Sequence, residues 1–259
     1  MIEVKQAAKS YGKLNVLRDI SLKIETGEFV GIIGPNGSGK STLLNLISGI
    51  EEPDQGEISL AGQPITSFSR KSLSQRLAVL QQDGLPSISY PVREVIEMGR
   101  FPFQDWRGRE KGGNADDLLN QIMNRLELQE LAGRPLSVLS GGQRQRVALG
   151  KVMAQQPEVL LLDEPTTYLD IRYQMQFMDL IASWQREEGL TVVAVMHDLN
   201  LASLYCDRLL ILSAGKVIAE GTPDEILVPE TIEAVFDVKS HTVNHPDTGV
   251  PQLLLQKRS

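Results

Sequence analysis

The chain has 259 residues, 41% of them hydrophobic, and carries a formal net charge of −7 at pH 7. This is enough for one large α/β domain with a smaller subdomain, and the acidic balance argues against the basic stripe with which nucleic-acid binders track phosphates. No run approaches the roughly 20 apolar residues that span a bilayer, and no polybasic segment would hold the chain on anionic lipid unaided.

In chain order, the opening to about Phe29 is β-rich. It starts Met1-Ile2-Glu3-Val4-Lys5, without the apolar core of a signal peptide, so the chain is expected to stay in the cytosol. The apolar strand Phe29-Val30-Gly31-Ile32-Ile33 leads into Gly34-Pro35-Asn36-Gly37-Ser38-Gly39-Lys40-Ser41, which fills the phosphate-loop pattern G-x-x-x-x-G-K-[S/T]. Its glycines let the backbone turn its N–H groups inward, making an anion cradle at the start of a helix that begins near Lys40. In this pattern Lys40 bridges the β- and γ-phosphates of a nucleotide. Ser41 gives its hydroxyl to Mg²⁺, a hard cation that takes oxygen ligands. The nucleotide strand and helix run to about Gly49 and a further β-rich segment to about Ile65, after which strand and helix alternate.

From about Gly84 to Leu139 the pattern turns helical and polar, with Leu118, Leu119, Ile122, Met123 and Leu126 at helical spacing. Leu139-Ser140-Gly141-Gly142-Gln143 comes next, and the stretch from Gln143 to Gln156 reads as a helix stopped by Pro157. Ser140 suits the N-cap, with the glycines serving a tight turn. The same helix start, with bare N–H groups and a partial positive charge, equally suits an anion.

Val159-Leu160-Leu161-Leu162-Asp163-Glu164 is the continuous apolar run expected of a strand buried on both faces of a parallel sheet. It ends in two carboxylates, Asp163 placed to hold Mg²⁺ and Glu164 to face the water that attacks a γ-phosphate. His197 follows the apolar strand Leu190 to Met196. Leu209 to Ser213 and Val217 to Ala219 read as short strands, and a small C-terminal extension starts at about Pro223. Cys206 stands alone, which excludes an internal disulfide, and reads as a small buried apolar residue.

The phosphate loop, the Leu139–Gln143 stretch and the Asp163–Glu164 strand end, in this order, resemble the ATP-binding-cassette (ABC) family over nearly the whole chain. The resemblance implies an α/β fold, a P-loop nucleotide-binding domain of ABC type. Its RecA-like core would carry an N-terminal antiparallel β subdomain and an inserted helical signature subdomain. Residues 1–222 would then form the ATPase domain, about 84–150 the helical insertion, and 223–259 the extension.

The same resemblance implies ATP and Mg²⁺ and distributes their contacts. Gly34, Pro35, Asn36, Gly37, Ser38, Gly39, Lys40, Ser41 and Thr42 would hold the nucleotide, with Tyr11 either stacking on adenine or serving as an ordinary strand aromatic. Ser41, Gln82 and Asp163 would hold the metal. Gln82, in Leu80-Gln81-Gln82-Asp83, fits the glutamine loop that also senses the transporter partner, although Gln81 is adjacent and fits the same pattern. Glu164, Gln82 and His197 would be the catalytic set, His197 as the family's switch histidine that bonds the γ-phosphate and keeps Glu164 and water in register. Pro165-Thr166-Thr167-Tyr168-Leu169-Asp170 fits the D-loop, with Thr167 in place of the commoner serine, Tyr168 in place of alanine, and Asp170 retained. In the family, Ser140, Gly141, Gly142 and Gln143 dock on ATP held by a second subunit. One copy of each motif therefore implies a homodimer or a heterodimer with a related chain.

Val92-Arg93-Glu94-Val95-Ile96-Glu97-Met98-Gly99-Arg100-Phe101-Pro102, His197-Asp198-Leu199-Asn200-Leu201-Ala202 and the tail Pro246-Asp247-Thr248-Gly249-Val250-Pro251 are similar to ATPases of bacterial iron–siderophore, haem and cobalamin importers. That lineage implies a peripheral subunit at the cytoplasmic face of the inner membrane, bound to an integral permease and served indirectly by an external substrate-binding protein. Phe101, Phe103 and Trp106 either line the groove for a permease coupling helix or pack the helical subdomain. His241 and His245, on a Pro/Gly-containing tail, read as solvated rather than as a metal site. The alternatives are another cargo such as Zn²⁺ or Mn²⁺, an exporter component, or a soluble clamp acting on nucleic acid or in translation. The clamp predicts a coiled-coil insertion, tandem cassettes or basic stripes, and the sequence has none of them.

Overall fold

The computed structural model describes residues 1–82, 85–86, 88–110, 115–167 and 169–257. Asp83, Gly84 and Tyr168, which the sequence pattern places in the glutamine loop, at the start of the helical insertion and in the D-loop, lie outside the described residues. The chain opens with β1 (Ile2–Tyr11) and β2 (Leu14–Ile24), followed by β3 (Phe29–Ile33) and α1 (Lys40–Ile47). Then come β4 (Gln55–Leu60), β5 (Gln63–Pro64), α2 (Arg70–Ser74) and β6 (Leu77–Leu80). β2, β1, β4 and β5 form one antiparallel sheet in that order. Its strands alternate as half-buried strands should, with Ile2 and Val4 or Ile20, Leu22 and Ile24 facing inward.

The helical region holds α3 (Val92–Glu97), α4 (Ala115–Arg125) and α5 (Gly141–Ala154), and β7 (Val159–Asp163) returns the chain to the core. Leu119, Ile122, Met123 and Leu126 bury the apolar stripe of α4, with Leu118 at its margin. The reading of a helix from Gln143 to Gln156 is corrected at both ends. Ser140 caps ahead of the glycines, so the helix starts at Gly141, and it ends at Ala154 because Gln156 turns left-handed at φ 49°.

The chain continues through α6 (Ile171–Glu188), β8 (Thr191–Val195), α7 (Leu199–Tyr205), β9 (Arg208–Ser213) and β10 (Lys216–Gly221). A second sheet has the order β10-β9-β3-β8-β7-β6, parallel except for β10. Its strands alternate between two cores. Phe29, Ile33, Leu160, Leu162, Val192 and Ala194 face the helical side, whereas Val30, Ile32, Leu161, Val193 and Val195 face α1 and the antiparallel sheet. A parallel sheet covered on both faces explains why these strands read as unbroken apolar runs. Because β3, β8, β7 and β6 are successive neighbours, the residues just past their carboxyl ends converge on one crevice, where ligands of open α/β sheets bind.

The last segment contains α8 (Pro223–Ile226), α9 (Pro229–Phe236), β11 (Ser240–Asn244) and β12 (Pro251–Leu255), with β11 and β12 paired as a hairpin. It does not hang free of the core. Ile226, Leu227, Ile232 and Leu253 are buried in the helical-side cluster together with β7 and β8. Among the described residues, no helix is long and apolar enough to cross a membrane.

Candidate active site

β3 is followed by Gly34, where a side chain is sterically excluded: a Cβ would lie 2.0 Å from the Leu212 carbonyl oxygen, and φ is 150°. The loop then enters α1 through Gly39, which is left-handed and offers no side-chain cap. The first N–H groups of α1 are therefore free of any internal cap and available to an anion. Lys40, only 6% exposed, donates from Nζ to the carbonyl oxygens of Gly34 (2.8 Å) and Pro35 (3.0 Å). Its burial lowers the amine's pKa, and the carboxylates of Glu164 and Asp163 oppose that shift. Among the described residues, the buried Ser38 hydroxyl has no hydrogen-bond partner. Such groups are normally satisfied, so a backbone cradle with a buried ammonium and an orphaned hydroxyl fits a phosphate.

Ser41 Oγ donates to Asp163 Oδ1 at 3.2 Å, joining α1 to the end of β7. Asp163 has its pKa raised, first by burial and then by the Glu164 charge, against the Ser41 hydrogen bond and Lys40. A hydroxyl and a carboxylate are hard oxygen donors. They fit a Mg²⁺ that keeps waters and phosphate oxygens in its remaining positions.

Glu164 sits one residue past β7 at φ 49°, a left-handed conformation costing on the order of 1 kcal/mol for a side-chain-bearing residue. Neighbouring segments hold it there. Its N–H donates to Val195 O (3.2 Å), and its carbonyl accepts from Thr167 N (3.2 Å). Gln145 Nε2 on α5 donates to Pro165 O (3.0 Å), and Gln174 Nε2 on α6 to Thr166 O (3.2 Å). The carboxylate is divided between partners past the ends of two other strands and one from its own loop: Oε1 meets His197 Nε2, while Oε2 accepts from Gln82 Nε2 (2.8 Å) and from the nearby Thr167 Oγ1 (3.4 Å). Of the two adjacent glutamines, then, Gln82 is the one that reaches the site, and it does so as a donor to Glu164.

Tyr11 ends β1, half-exposed beside α1. Its hydroxyl donates to Glu51 Oε2 (2.6 Å), which raises its pKa, and Thr42 bonds it in the opposite sense. Asp170 caps α6, accepting from Tyr173 N at 3.0 Å. Ser140 and Gln143 form a reciprocal capping box: Ser140 Oγ accepts from Gln143 N (3.3 Å) and Gln143 Oε1 from Ser140 N (3.0 Å). Ser140 and Gly141 are exposed, and among the described residues neither Ser140 nor Gln143 bonds to the phosphate loop. Asp163, Glu164, Gln82, His197, Ser41 and Lys40 are thus drawn together within one chain, and Ser140–Gln143 form a separate rim, exposed at Ser140 and Gly141 and half-buried at Gly142 and Gln143.

Phe103 stacks on Arg100 at 4.0 Å, while Phe101 and Trp106 are 59% and 85% exposed. His241 lies beside Gln256, and His245 Nδ1 accepts from Asp247 N, so each imidazole has its own partner. Cys206 is buried, which raises its thiol pKa. Sequence reasoning missed Gln145 and Gln174, and noted Thr167 only as a replacement for serine. They act across 3 to 20 residues on a loop that has no periodic pattern.

A family model described as ABC transporter matches residues 17–167. An uncharacterized ABC transporter ATP-binding protein of Bacillus subtilis (strain 168) is 39% identical over 246 residues, 95% of this chain and 56% of that relative, so the chain spans little more than half its length. The hemin import ATP-binding protein of Thermobifida fusca (strain YX) is 39% identical over 254 residues, 98% of this chain and 88% of that one. The ferric enterobactin transport ATP-binding protein of Escherichia coli (strain K12) is 36% identical over 250 residues, 95% and 90% of the two chains. Among solved structures, the dimeric post-hydrolysis state of the ATP-binding cassette MJ0796, bound to ADP and Pi, has a TM-score of 0.72 at 30% identity, covering 86% of this chain and 98% of that one.

Proposed function

The chain belongs to the ABC transporter family of ATP-binding proteins, and on that premise we propose that it powers an importer for an iron complex (ferric siderophore or haem) or cobalamin. It is an ATPase. The observation that carries the site reading is Glu164, held past the end of β7 next to the Ser41–Asp163 pair, with His197 and Gln82 on its two oxygens. In this reading the N–H groups at the start of α1 and the Lys40 ammonium bind the β- and γ-phosphates. Glu164 accepts a proton from the attacking water as the γ-phosphoryl passes to it, and His197 fixes the direction of that carboxylate. Ser41 and Asp163 are the residues that would hold Mg²⁺, which when bound neutralises charge on the phosphate oxygens. Positioning and charge neutralisation supply most of the catalysis.

The rim at Ser140–Gly142, exposed at Ser140 and Gly141, supports a second copy, or a related chain, docking there on nucleotide held by the first. ATP then favours the closed pair and hydrolysis releases it. Exposed Phe101 and Trp106 support contact with an integral permease at the cytoplasmic face of the inner membrane, with an external binding protein delivering cargo to that permease.

The test is uptake of labelled ferric siderophore, haem and cobalamin in cells whose only copy is wild type or Glu164→Gln. Loss of one cargo with the variant still expressed is the expected result and names the substrate. Unchanged uptake of all three, with ATPase activity present in the purified wild type, would move the assignment to another cargo such as Zn²⁺ or Mn²⁺ or to a soluble clamp.

A further inference from the structure

Two stretches singled out in the sequence have no part in the hydrolysis just described: the residues after His197, and the tail from Pro246 to Pro251. In the structure they meet. α7 starts at Leu199, directly after His197 and Asp198, and is 7 residues long. A helix this short has little stability of its own; His197 is held on one side by Met196 N, which donates to Ile32 O at 3.0 Å, and on the other by whatever keeps α7 in place. Asp198 Oδ1 caps it, accepting from Asn200 N (2.9 Å) and Leu201 N (3.0 Å), and Leu201 and Ala202 are buried in the helical-side core.

The third hold comes from β12. Asn200 Oδ1 accepts from Leu253 N at 2.7 Å, and Asn200 Nδ2 donates to Leu253 O at 3.3 Å. One side-chain amide thereby satisfies both backbone groups of a single strand residue, as a neighbouring strand would. Asparagine offers both a donor and an acceptor at this reach, whereas aspartate can only accept. One turn further on, Ser203, 2% exposed, donates from Oγ to Pro251 O at 2.6 Å. Gln252 Nε2 reaches back to Asn200 O at 3.4 Å.

The tail sets which residue of β12 faces Asn200. It closes the hairpin through His245 N to Val250 O (2.9 Å) and Gly249 N to His245 O (2.8 Å), with Gly249 at φ 75°. This turn pairs Thr242 with Leu253, and Thr242 Oγ1 is itself anchored to Leu227 O at 2.9 Å. A slip of one residue would turn the buried Leu253 outward and move its neighbours into the place facing Asn200.

We propose that the C-terminal hairpin is a brace for His197 and that Asn200 is its positioning residue: by gripping the Leu253 backbone it fixes α7, and the start of α7 holds His197 against Glu164. The proposal rests on the ATPase reading of the site and is independent of cargo. Its test uses the full chain, purified, as wild type and as Asn200→Ala and Ser203→Ala. ATP turnover is measured alongside the imidazole signals of ¹⁵N-histidine-labelled protein. With 3 histidines in the chain, the His197 signal is assigned by its loss in His197→Ala. Asn200→Ala is expected to lower kcat about tenfold with KM for ATP unchanged and to shift the His197 signal. Ser203→Ala should do the same to a smaller degree.

Wild-type kcat in both variants would overturn the brace, and so would a fall in kcat with the His197 signal unmoved. If Asn200→Ala yields no folded protein, the same two measurements on Ser203→Ala decide: wild-type kcat, or a lowered kcat with an unmoved His197 signal, overturns the brace. Wild-type turnover in the same assay separates failure of the brace from failure of the ATPase reading.

Discussion

Two helices of this protein begin directly after glycines or with them, and they are built in opposite ways. α1 starts at left-handed Gly39 with no side-chain cap, behind a Gly34 that touches the Leu212 carbonyl and a Lys40 buried under the loop. α5 starts behind Ser140 with a complete capping box; a Cβ on Gly141 would meet nothing within 4 Å, whereas one on Gly142 would press on the Tyr173 ring at 3.1 Å. The first cradle is walled in by its own chain and leaves its N–H groups for a ligand. The second is internally satisfied and open on its outer side. Glycines at a helix start therefore have two distinct physical meanings, close backbone approach in one case and an unobstructed surface in the other.

The contrast can be broken by substitution, beginning with its most demanding point. Gly34→Ala drives a methyl into Leu212 O, and thermal unfolding should show a loss of more than about 3 kcal/mol or no folded protein. A variant as stable as wild type would mean that the close approach is not obligatory. Lys40→Ala should weaken ATP binding by on the order of 100-fold in calorimetric titration, since a charged donor to phosphate is removed. Preserved affinity would shift the weight to the backbone N–H groups alone.

At the other helix, Ser140→Ala should lower stability by about 1 kcal/mol through loss of the cap. Gly141→Ala should leave stability within about 0.5 kcal/mol yet slow ATP turnover, because its methyl projects into the space proposed for the partner's nucleotide. A Gly141→Ala protein with normal turnover would remove the rim from the reaction.

The smallest effect concerns pH. Burial raises the folded-state pKa of Asp163 above its unfolded value, so the ionised carboxylate costs stability. That cost is absent below the unfolded-state pKa and complete above the folded-state one. Asp163→Asn should therefore raise the unfolding temperature at neutral pH, do so less in acid, and abolish turnover. An equal gain at both pH values would assign the effect to something other than ionisation.

Much of this was legible in the sequence because its causes are local. β3, β7 and β8 announced themselves as apolar runs, the phosphate loop by glycine spacing, and Ser140 as a cap by its place before a helix, features set by residues within a few positions of one another. The bounds of α5 were misplaced because the cap and the left-handed Gln156 decide them rather than the polar stretch between.

The sequence by itself thus determined the strands of the nucleotide core, the nucleotide cradle and the pair of carboxylates at a strand end, but not the two helices and the hairpin from Pro223 onward. The tertiary structure alone decided which groups share them. Gln82 reaches Glu164 across 82 residues and Asn200 reaches Leu253 across 53. The first meeting follows from the strand order β10-β9-β3-β8-β7-β6, which sets β6 beside β7, and the second from the packing of the separate β11-β12 hairpin against α7. A hydrogen bond made across such a crossover leaves no periodicity or spacing behind, since its geometry is set by the packing of whole strands and helices rather than by the residues beside it.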